Sequence, residues 1–381
     1  MSEIDASTDF EDFADTRAEE PVDIQTMEAQ LLEVDDSNES PPSDIIAYNE
    51  LRSGADLLRM HLEGDLIIQP DFQRELVWSS TDQTRFIDSL VKQLPIPSMC
   101  FAYDANKNEW LVIDGLQRIS TIIRFLNGAD WRLSKLPDVD DQLKGKTAAA
   151  FKAAKTGDLR RVFSRVQNQA IPVNVLRCDF SKKSHNEYLF TIFHRLNSGG
   201  LKLNNQEIRN CIYSGTFNKA LKDMDQYKNW RDFNNMKDNE HYRFSKQEAI
   251  LRFFAFFHNR ESYGGSISKF LNDYMYDRRN ASESVIAEHK SLFTRVANVL
   301  AEKIVSERPA PRMPGTVIEA VMVGVASNLE HMEMISADDA RALFDVFRQD
   351  GSISDAELAE GLSKKDKVKA RLDAAVEIFS R

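Results

Sequence analysis

The stretch Val112-Ile113-Asp114-Gly115-Leu116-Gln117-Arg118 decides how the front half of this chain is read. An apolar run ends at Ile113, a glycine permits a tight turn, and a helical pattern opens at Leu116. Backbone N–H groups at a helix N-terminus favour anions, and Arg118 in the first turn carries a fork of donors suited to phosphate. Asp114 either holds a metal ion bound to that phosphate or caps the helix. The residues alone leave two readings open: a phosphate site, or a capped helix with a surface arginine.

Outward from this turn, Met99–Tyr103 and Trp110–Ile113 are expected as two strands around the turn residues 104–108. A helix is expected over Leu116–Leu126, with Gly128 as its stop. Upstream, a short helix is predicted over Ala55–Leu62, ending at Gly64, followed by a strand at Leu66–Ile68. Ser79 and Ser80 offer an N-cap for a helix through Arg85–Gln93, which Pro95 and Pro97 stop. A further strand is predicted at Pro172–Leu176. Beyond about residue 185 the pattern is helical. The segments are 184–196, 205–213, 246–258, 267–276, 285–305, 317–329, 337–347 and 365–379, without a fixed-period repeat. The fold class read from this order is α+β followed by an all-α half.

Charge is unevenly placed. The 381 residues carry a net −11, yet residues 1–45 hold 15 Asp/Glu and one Lys/Arg, leaving 48 basic and 45 acidic residues in the remainder. The acidity sits in a tail, expected to be disordered over 1–44, and the near-neutral body can meet a polyanion only through a local patch. Within the tail, Ile24, Met27, Leu31 and Leu32 at helical spacing suggest either a transient helix or a docking helix for a protein partner. An acidic segment that mimics DNA is a further reading. The apolar runs are far shorter than the ~20 residues a membrane span needs. The start has no signal-peptide character, and Cys100, Cys178 and Cys211 form no CxxC pair, which fits a reducing cytoplasm.

Two further stretches carry chemistry-bearing residues. In Gln69-Pro-Asp-Phe-Gln-Arg-Glu-Leu-Val-Trp78, Gln73 and Arg74 lie beside Phe72 and Trp78, as a base or ribose contact or as part of a rigid loop. In Phe193-His-Arg-Leu-Asn-Ser-Gly-Gly200, followed by Leu203-Asn-Asn-Gln-Glu207, one helix ends in a polar loop and another begins.

Together the three stretches resemble the family typified by the N-terminal domain of GmrSD-type modification-dependent restriction endonucleases, with the related SspE-like phage-defence proteins. The markers are Pro70–Trp78, Ile113-Asp-Gly-Leu-Gln-Arg118 and Phe193–Gly200 through Gln206-Glu-Ile-Arg-Asn210, with Pro95-Ile-Pro97 between them. The resemblance continues through Leu251–Phe254 and Phe270–Tyr274 and covers roughly 45–380. It implies a ParB/sulfiredoxin-like α+β nucleotide-binding domain over 45–180, packed against an all-α domain over 181–381. It also implies binding and hydrolysis of a nucleoside triphosphate with Mg²⁺, in a bacterial antiphage or restriction system acting on or near DNA. Carried over residue by residue, Asp114, Gly115, Gln117 and Arg118 hold phosphates, and Asp114 holds the Mg²⁺. Asp114, Gln117 and Arg118 are the catalytic candidates. Gln73 and Arg74 complete the pocket, and Arg195 and Asn197 approach from the helical side, near the junction of the two domains.

One position departs from the family pattern. The first glutamine of the DGQQR motif is Leu116 here, so an amide that orients water or a phosphate oxygen is replaced by an apolar side chain. This motivates the alternative of a non-enzymatic, nucleotide-gated DNA- or protein-binding regulator. DNA nicking by the α+β part, with Asp71, Glu75 and Asp114 as metal carboxylates, ranks last.

Several imitations are set aside. Gly145-Lys-Thr147 ends like a Walker A motif, but the glycine required five residues earlier is Asp140. Around Asp350-Gly351, calcium-loop positions one and three would be Val346 and Arg348, which cannot ligate. His185, His194, His241 and His258 show no metal-binding spacing. Phe253, Phe254, Phe256, Phe257 and Phe270 are expected to form core. Arg278-Arg279 and the lysines at 364, 365, 367 and 369 are expected on a solvated face or against DNA phosphates.

Overall fold

The computed structural model describes residues 41–68, 78–196, 203–236, 244–305, 313–354, 357–358 and 361–381. The expected tail helix, Gln73, Arg74, Asn197 and His241 lie outside these residues.

The front part is a five-stranded sheet with helices on both faces. Its elements are β1 (Ile46–Ser53), α1 (Gly54–Glu63), β2 (Leu66–Ile67), α2 (Ser80–Val91), β3 (Met99–Asp104), β4 (Glu109–Asp114), α3 (Leu116–Leu126), α4 (Ala148–Ala153), α5 (Gly157–Asn168) and β5 (Ala170–Cys178). The strand order is β1-β5-β3-β4-β2. The β3–β4 hairpin is antiparallel with Tyr103 opposite Trp110, and β3 runs parallel to β5 with Phe101 opposite Val175. Pro172 lies in β5 opposite Leu51 of β1, just before the β3 pairing begins at Val173. Its missing N–H is therefore not required on the β3 side.

Alternation along the strands builds two cores. Met99, Phe101, Trp110, Val112, Val173 and Val175 face one way, against Leu57 and Met60 of α1, Ile87 of α2, Ile119 and Ile122 of α3 and Val166 of α5. Cys100, Ala102, Leu111 and Ile113 face the other way. There they meet Leu189, Phe190 and Phe193 of α6 (Lys183–Leu196) and Ile208 of α7 (Asn205–Ile212). The first two helices after the sheet thus cover its second face.

The remaining helices are α8 (Thr216–Asp225), α9 (Lys228–Phe233), α10 (Ser245–Asn259), α11 (Ile267–Arg278), α12 (Glu283–Val299), α13 (Gly315–Ser327), α14 (Leu329–Met334), α15 (Ala337–Arg348) and α16 (Lys365–Ile378). They form a third core in which Phe253, Phe254, Phe256 and Phe270 are buried and Phe257 packs at the edge. The helix expected over 285–305 is α-helical to Val299 and finishes as a π-helical turn, Leu300–Ile304. Glu319 of α13 is fully buried between Arg252 of α10 (2.6 Å) and Arg371 of α16 (2.9 Å). This charged cluster ties three helices at one point. Breaking such a cluster on one side costs more than replacing it whole, because a buried charge is left without a partner.

Strand β1 and helices α4, α5, α8, α9 and α14 are absent from the sequence reading. β1 is a sheet edge whose residues are mostly exposed, including Ile46, Tyr48 and Leu51, so no hydrophobic alternation marks it. Among the described residues no helix is long and apolar enough to cross a membrane.

Candidate functional site

The turn at Asp114-Gly115 is shaped as its sequence requires. Gly115 has φ +96°, and a Cβ there would sit 2.7 Å from Met99 Cγ. Only glycine meets both conditions, the left-handed backbone and the close approach of β3. Gly115 is also the residue that precedes α3, so the helix opens without a side-chain cap. Asp114 therefore does not cap it, contrary to one of the two sequence readings. Its Oδ2 accepts instead from Arg118 Nη2, one turn into the helix, at 2.8 Å.

Arg118 is more engaged than its sequence context suggests. Besides Asp114, it donates through Nη1 to the Pro97 carbonyl and through Nη2 to the Ser98 carbonyl at 3.4 Å. These two residues lead into β3, so the guanidinium fastens the start of one strand to the helix that follows its neighbour. Its side chain is 15% exposed, and that of Asp114 is 41%. Any phosphate at this turn must therefore share or displace donors already in use. Cys100 pairs with Asp114 across the hairpin. Burial first, and then the Asp114 charge, push its thiol up to about 12, so it stays protonated.

Gln117 joins two of the three motifs. Its Oε1 accepts from the Trp78 backbone N–H at 3.4 Å, and Trp78 is the last residue of the Pro70–Trp78 stretch. Trp78 is held in turn by Gln83 Nε2 on its carbonyl (2.8 Å) and by an edge contact with Phe86. Arg124 of α3 donates to Gln83 Oε1 at 2.8 Å. The helix start is thus braced from α2 through hydrogen bonds rather than packing alone. Leu116 is half-buried and packs against both cores of the sheet. Its place in the motif is filled by an apolar wedge between them.

The third motif splits. Arg195 is exposed on the last turn of α6, and Asn197 lies outside the described residues. The Gln206–Asn210 part is a buried polar junction. Asn204 and Glu207 form a reciprocal cap at the start of α7. Arg209, 1% exposed, donates to Asn272 of α11 (2.9 Å), Glu248 of α10 (2.9 Å) and Gln206 (3.3 Å). Asn210 exchanges hydrogen bonds with Gln247 of α10, both at 3.1 Å, and Gln247 also reaches Asn218 of α8 at 3.0 Å. Sequence reasoning assigned this part no work. The structure gives it the task of locking α7, which covers the sheet, to the helical half. Its partners on α10 and α11 are 37 to 63 residues distant in sequence, beyond any local signal.

The imitations are accounted for locally. Thr147 caps α4, and Arg132 holds the Gly145 carbonyl. Asp350 caps a 3₁₀ turn through Ser352 N–H at 2.8 Å. His185 accepts from Asp179 N–H and bonds Asp44, and His258 lies in an aromatic cluster with Tyr274. Lys367 pairs with Glu357 and Lys369 with Asp373. Among the described residues no three His, Cys, Asp or Glu side chains come together to hold a metal ion.

No curated protein and no solved structure matches this chain. Residues 55–214, which run from α1 through the sheet to the end of the α7 junction and include the Asp114–Arg118 turn, match the family model described as GmrSD restriction endonuclease, N-terminal domain.

Proposed function

We propose that this protein binds a nucleoside triphosphate at the Asp114–Arg118 turn, as a component of a restriction-type phage-defence system acting on or near DNA. The family match supports the restriction-type setting. The observation that carries the nucleotide reading is the turn itself. A glycine in left-handed conformation opens α3 without a side-chain cap, and an arginine and a carboxylate stand at that same turn. Phosphate oxygens favour such a helix start because the helix dipole and N–H groups point toward them. Gln117 also accepts from the Trp78 N–H, and Trp78 ends the sequence stretch that contains Gln73 and Arg74.

The donor set fits a phosphate-borne Mg²⁺ rather than a metal held by protein alone. Asp114 offers one partly exposed carboxylate, and magnesium at nucleotide sites commonly takes one or two carboxylates with phosphate oxygens and water. A bound Mg²⁺ supplies charge neutralisation for the phosphates. Arg118 would then share its donors between Asp114 and the phosphate, and Gln117 would keep Trp78 in place.

A second reading has an observation of its own. Leu116 is packed into both cores, so the motif position that bears an amide in the family carries none here. That favours nucleotide binding without efficient turnover, with the bound nucleotide acting as a regulator's signal. Phosphate release from ATP, GTP, CTP and UTP with Mg²⁺, with and without DNA, separates the two. Turnover that Arg118→Ala abolishes supports the enzyme. Tight binding with no turnover, even with DNA, supports the regulator.

A further inference from the structure

Far along the chain from the Asp114 turn, the C-terminal end of α11 and the loop to α12 form an open crevice of about 590 Å³ lined by Arg278, Arg279, Asn280 and Asp277. Both guanidiniums are pre-positioned. Arg278 lies 3.8 Å over the Tyr274 ring and Arg279 3.8 Å over the Tyr276 ring. Arg279 also donates to the Tyr276 carbonyl at 2.6 Å. Among the described residues neither arginine pairs with a carboxylate within ion-pair distance, whereas Arg52, Arg118, Arg209 and Arg295 each do.

The backbone beneath is fixed. Thr216 donates to the carbonyls of Arg279 (3.4 Å) and Ala281 (2.8 Å). A Cβ on Gly215 would lie 2.1 Å from the Arg279 carbonyl oxygen, so the start of α8 sits directly on this loop. Tyr276 is anchored through its hydroxyl to the Ser181 carbonyl. Two stacked cations without an ion-pair partner within reach are therefore held in place, with the exposed Asp277 on the same crevice.

The crevice is not a closed pit. Arg279 and Asn280 also line a second, smaller crevice, together with Lys107 and apolar residues such as Ile67, Leu111 and Phe180. Its acidic member, Glu109, stands 4.0 Å from Lys107. Arg279 and Asn280 thus border both crevices, while Lys107 is already paired with Glu109. Two adjacent guanidiniums at an open crevice suit a chain of repeated phosphates better than one small enclosed anion. Planar guanidiniums match phosphate oxygens.

We infer that Arg278, Arg279 and Asn280 form a binding site for the phosphodiester backbone of a nucleic acid. The site contacts phosphates without reading sequence, and it does not depend on a nucleotide at the Asp114 turn.

The test is the salt dependence of binding to a fluorescein-labelled 20-base-pair duplex and to a single strand of the same length. The double variant Arg278→Gln/Arg279→Gln should weaken binding for all sequences alike and flatten the log K against log salt slope by roughly one per cation removed. Asn280 is exposed, so Asn280→Glu tests the same place without touching the stacked arginines. It should weaken binding as well. Thermal melting checks that each variant is folded. A slope unchanged in both variants would overturn the site, as would a loss of ATP affinity with DNA binding intact. Arg118→Ala, which tests the nucleotide reading, should leave the slope unaltered, so the two proposals fail separately. If the duplex and the single strand differ, the tighter one identifies the form of the backbone bound.

Discussion

Arg118 donates to Asp114 at 2.8 Å across one turn of α3, while the same guanidinium holds the carbonyls of Pro97 and Ser98. A phosphate bound at this turn would compete with Asp114 for one set of donors. A partly exposed ion pair of this kind is worth up to about 1 kcal/mol. Asp114→Asn removes the competing charge at nearly unchanged volume. It should raise nucleotide affinity in the absence of metal, by no more than about fivefold, and reduce the gain that Mg²⁺ confers. Calorimetric titrations in EDTA and in Mg²⁺ read both effects. Identical titrations for the variant and the wild type would place the ligand elsewhere.

Gly115 makes a prediction about stability. Alanine there faces both the left-handed backbone and Met99 Cγ at 2.7 Å from its Cβ. Backbone strain of this kind costs of order 1–3 kcal/mol. The urea midpoint of Gly115→Ala should therefore fall, and nucleotide binding should weaken more than global stability alone explains. A midpoint equal to that of the wild type would mean the turn relaxes freely.

Leu116→Gln asks whether the missing amide limits turnover. The position is half-buried between two apolar cores, so the variant should lose on the order of 1–2 kcal/mol of stability. Nucleotide affinity should hold, because the backbone turn is unchanged. Phosphate release should rise above the wild-type rate. A variant that binds equally well and is no faster would show that Leu116 is not what limits the chemistry.

Acid sensitivity is built into the helical half. Tyr274 Oη lies 2.8 Å from His258 Nδ1 and 3.2 Å from His289 Nε2, and His289 Nδ1 faces the Val285 carbonyl at 2.7 Å. That carbonyl fixes the tautomer: Nδ1 of His289 carries the proton and Nε2 accepts from Tyr274. The tyrosine oxygen then accepts from His258 Nδ1–H. Burial, then His289 and then Arg278, pull His258 down to about 4, and burial also lowers His289, near Arg278 and Glu288. The unfolded chain takes up these protons near pH 6.5 and the folded chain only at lower pH. Stability is therefore whole above about 6.5 and is lost as pH falls toward 4. Melting temperature should drop across that window, and less steeply in His258→Gln. Parallel curves for the variant and the wild type would take His258 out of the titration.

Much of the site's frame is legible in the sequence, because it depends on neighbours. The strand–glycine–helix order at 112–118 and the cap at Ser79 follow from residues within a few positions of one another. What is not legible depends on distance. Arg118 carries donors suited to phosphate, but the fold brings it the carbonyls of Pro97 and Ser98, 21 and 20 residues away. Arg209 has a local pattern that resembles a family signature, while its partners Glu248 and Asn272 belong to other helices. β1 escaped because an exposed edge strand has little hydrophobic alternation to show. Arg278-Arg279 looked like a short basic run. That the two arginines stack on tyrosines above a glycine-tight loop is a property of the packing alone.

The nucleotide site we propose lies at the Asp114–Arg118 turn. Its most direct test is calorimetric titration of Mg²⁺–ATP into the wild type, Arg118→Ala and Arg118→Lys, with each variant's fold verified by thermal melting because Arg118 also fastens Pro97 and Ser98 to α3. Saturable binding is expected for the wild type, reduced binding for the lysine variant and none for the alanine variant at the same concentrations. Equal affinity across three folded proteins would contradict it.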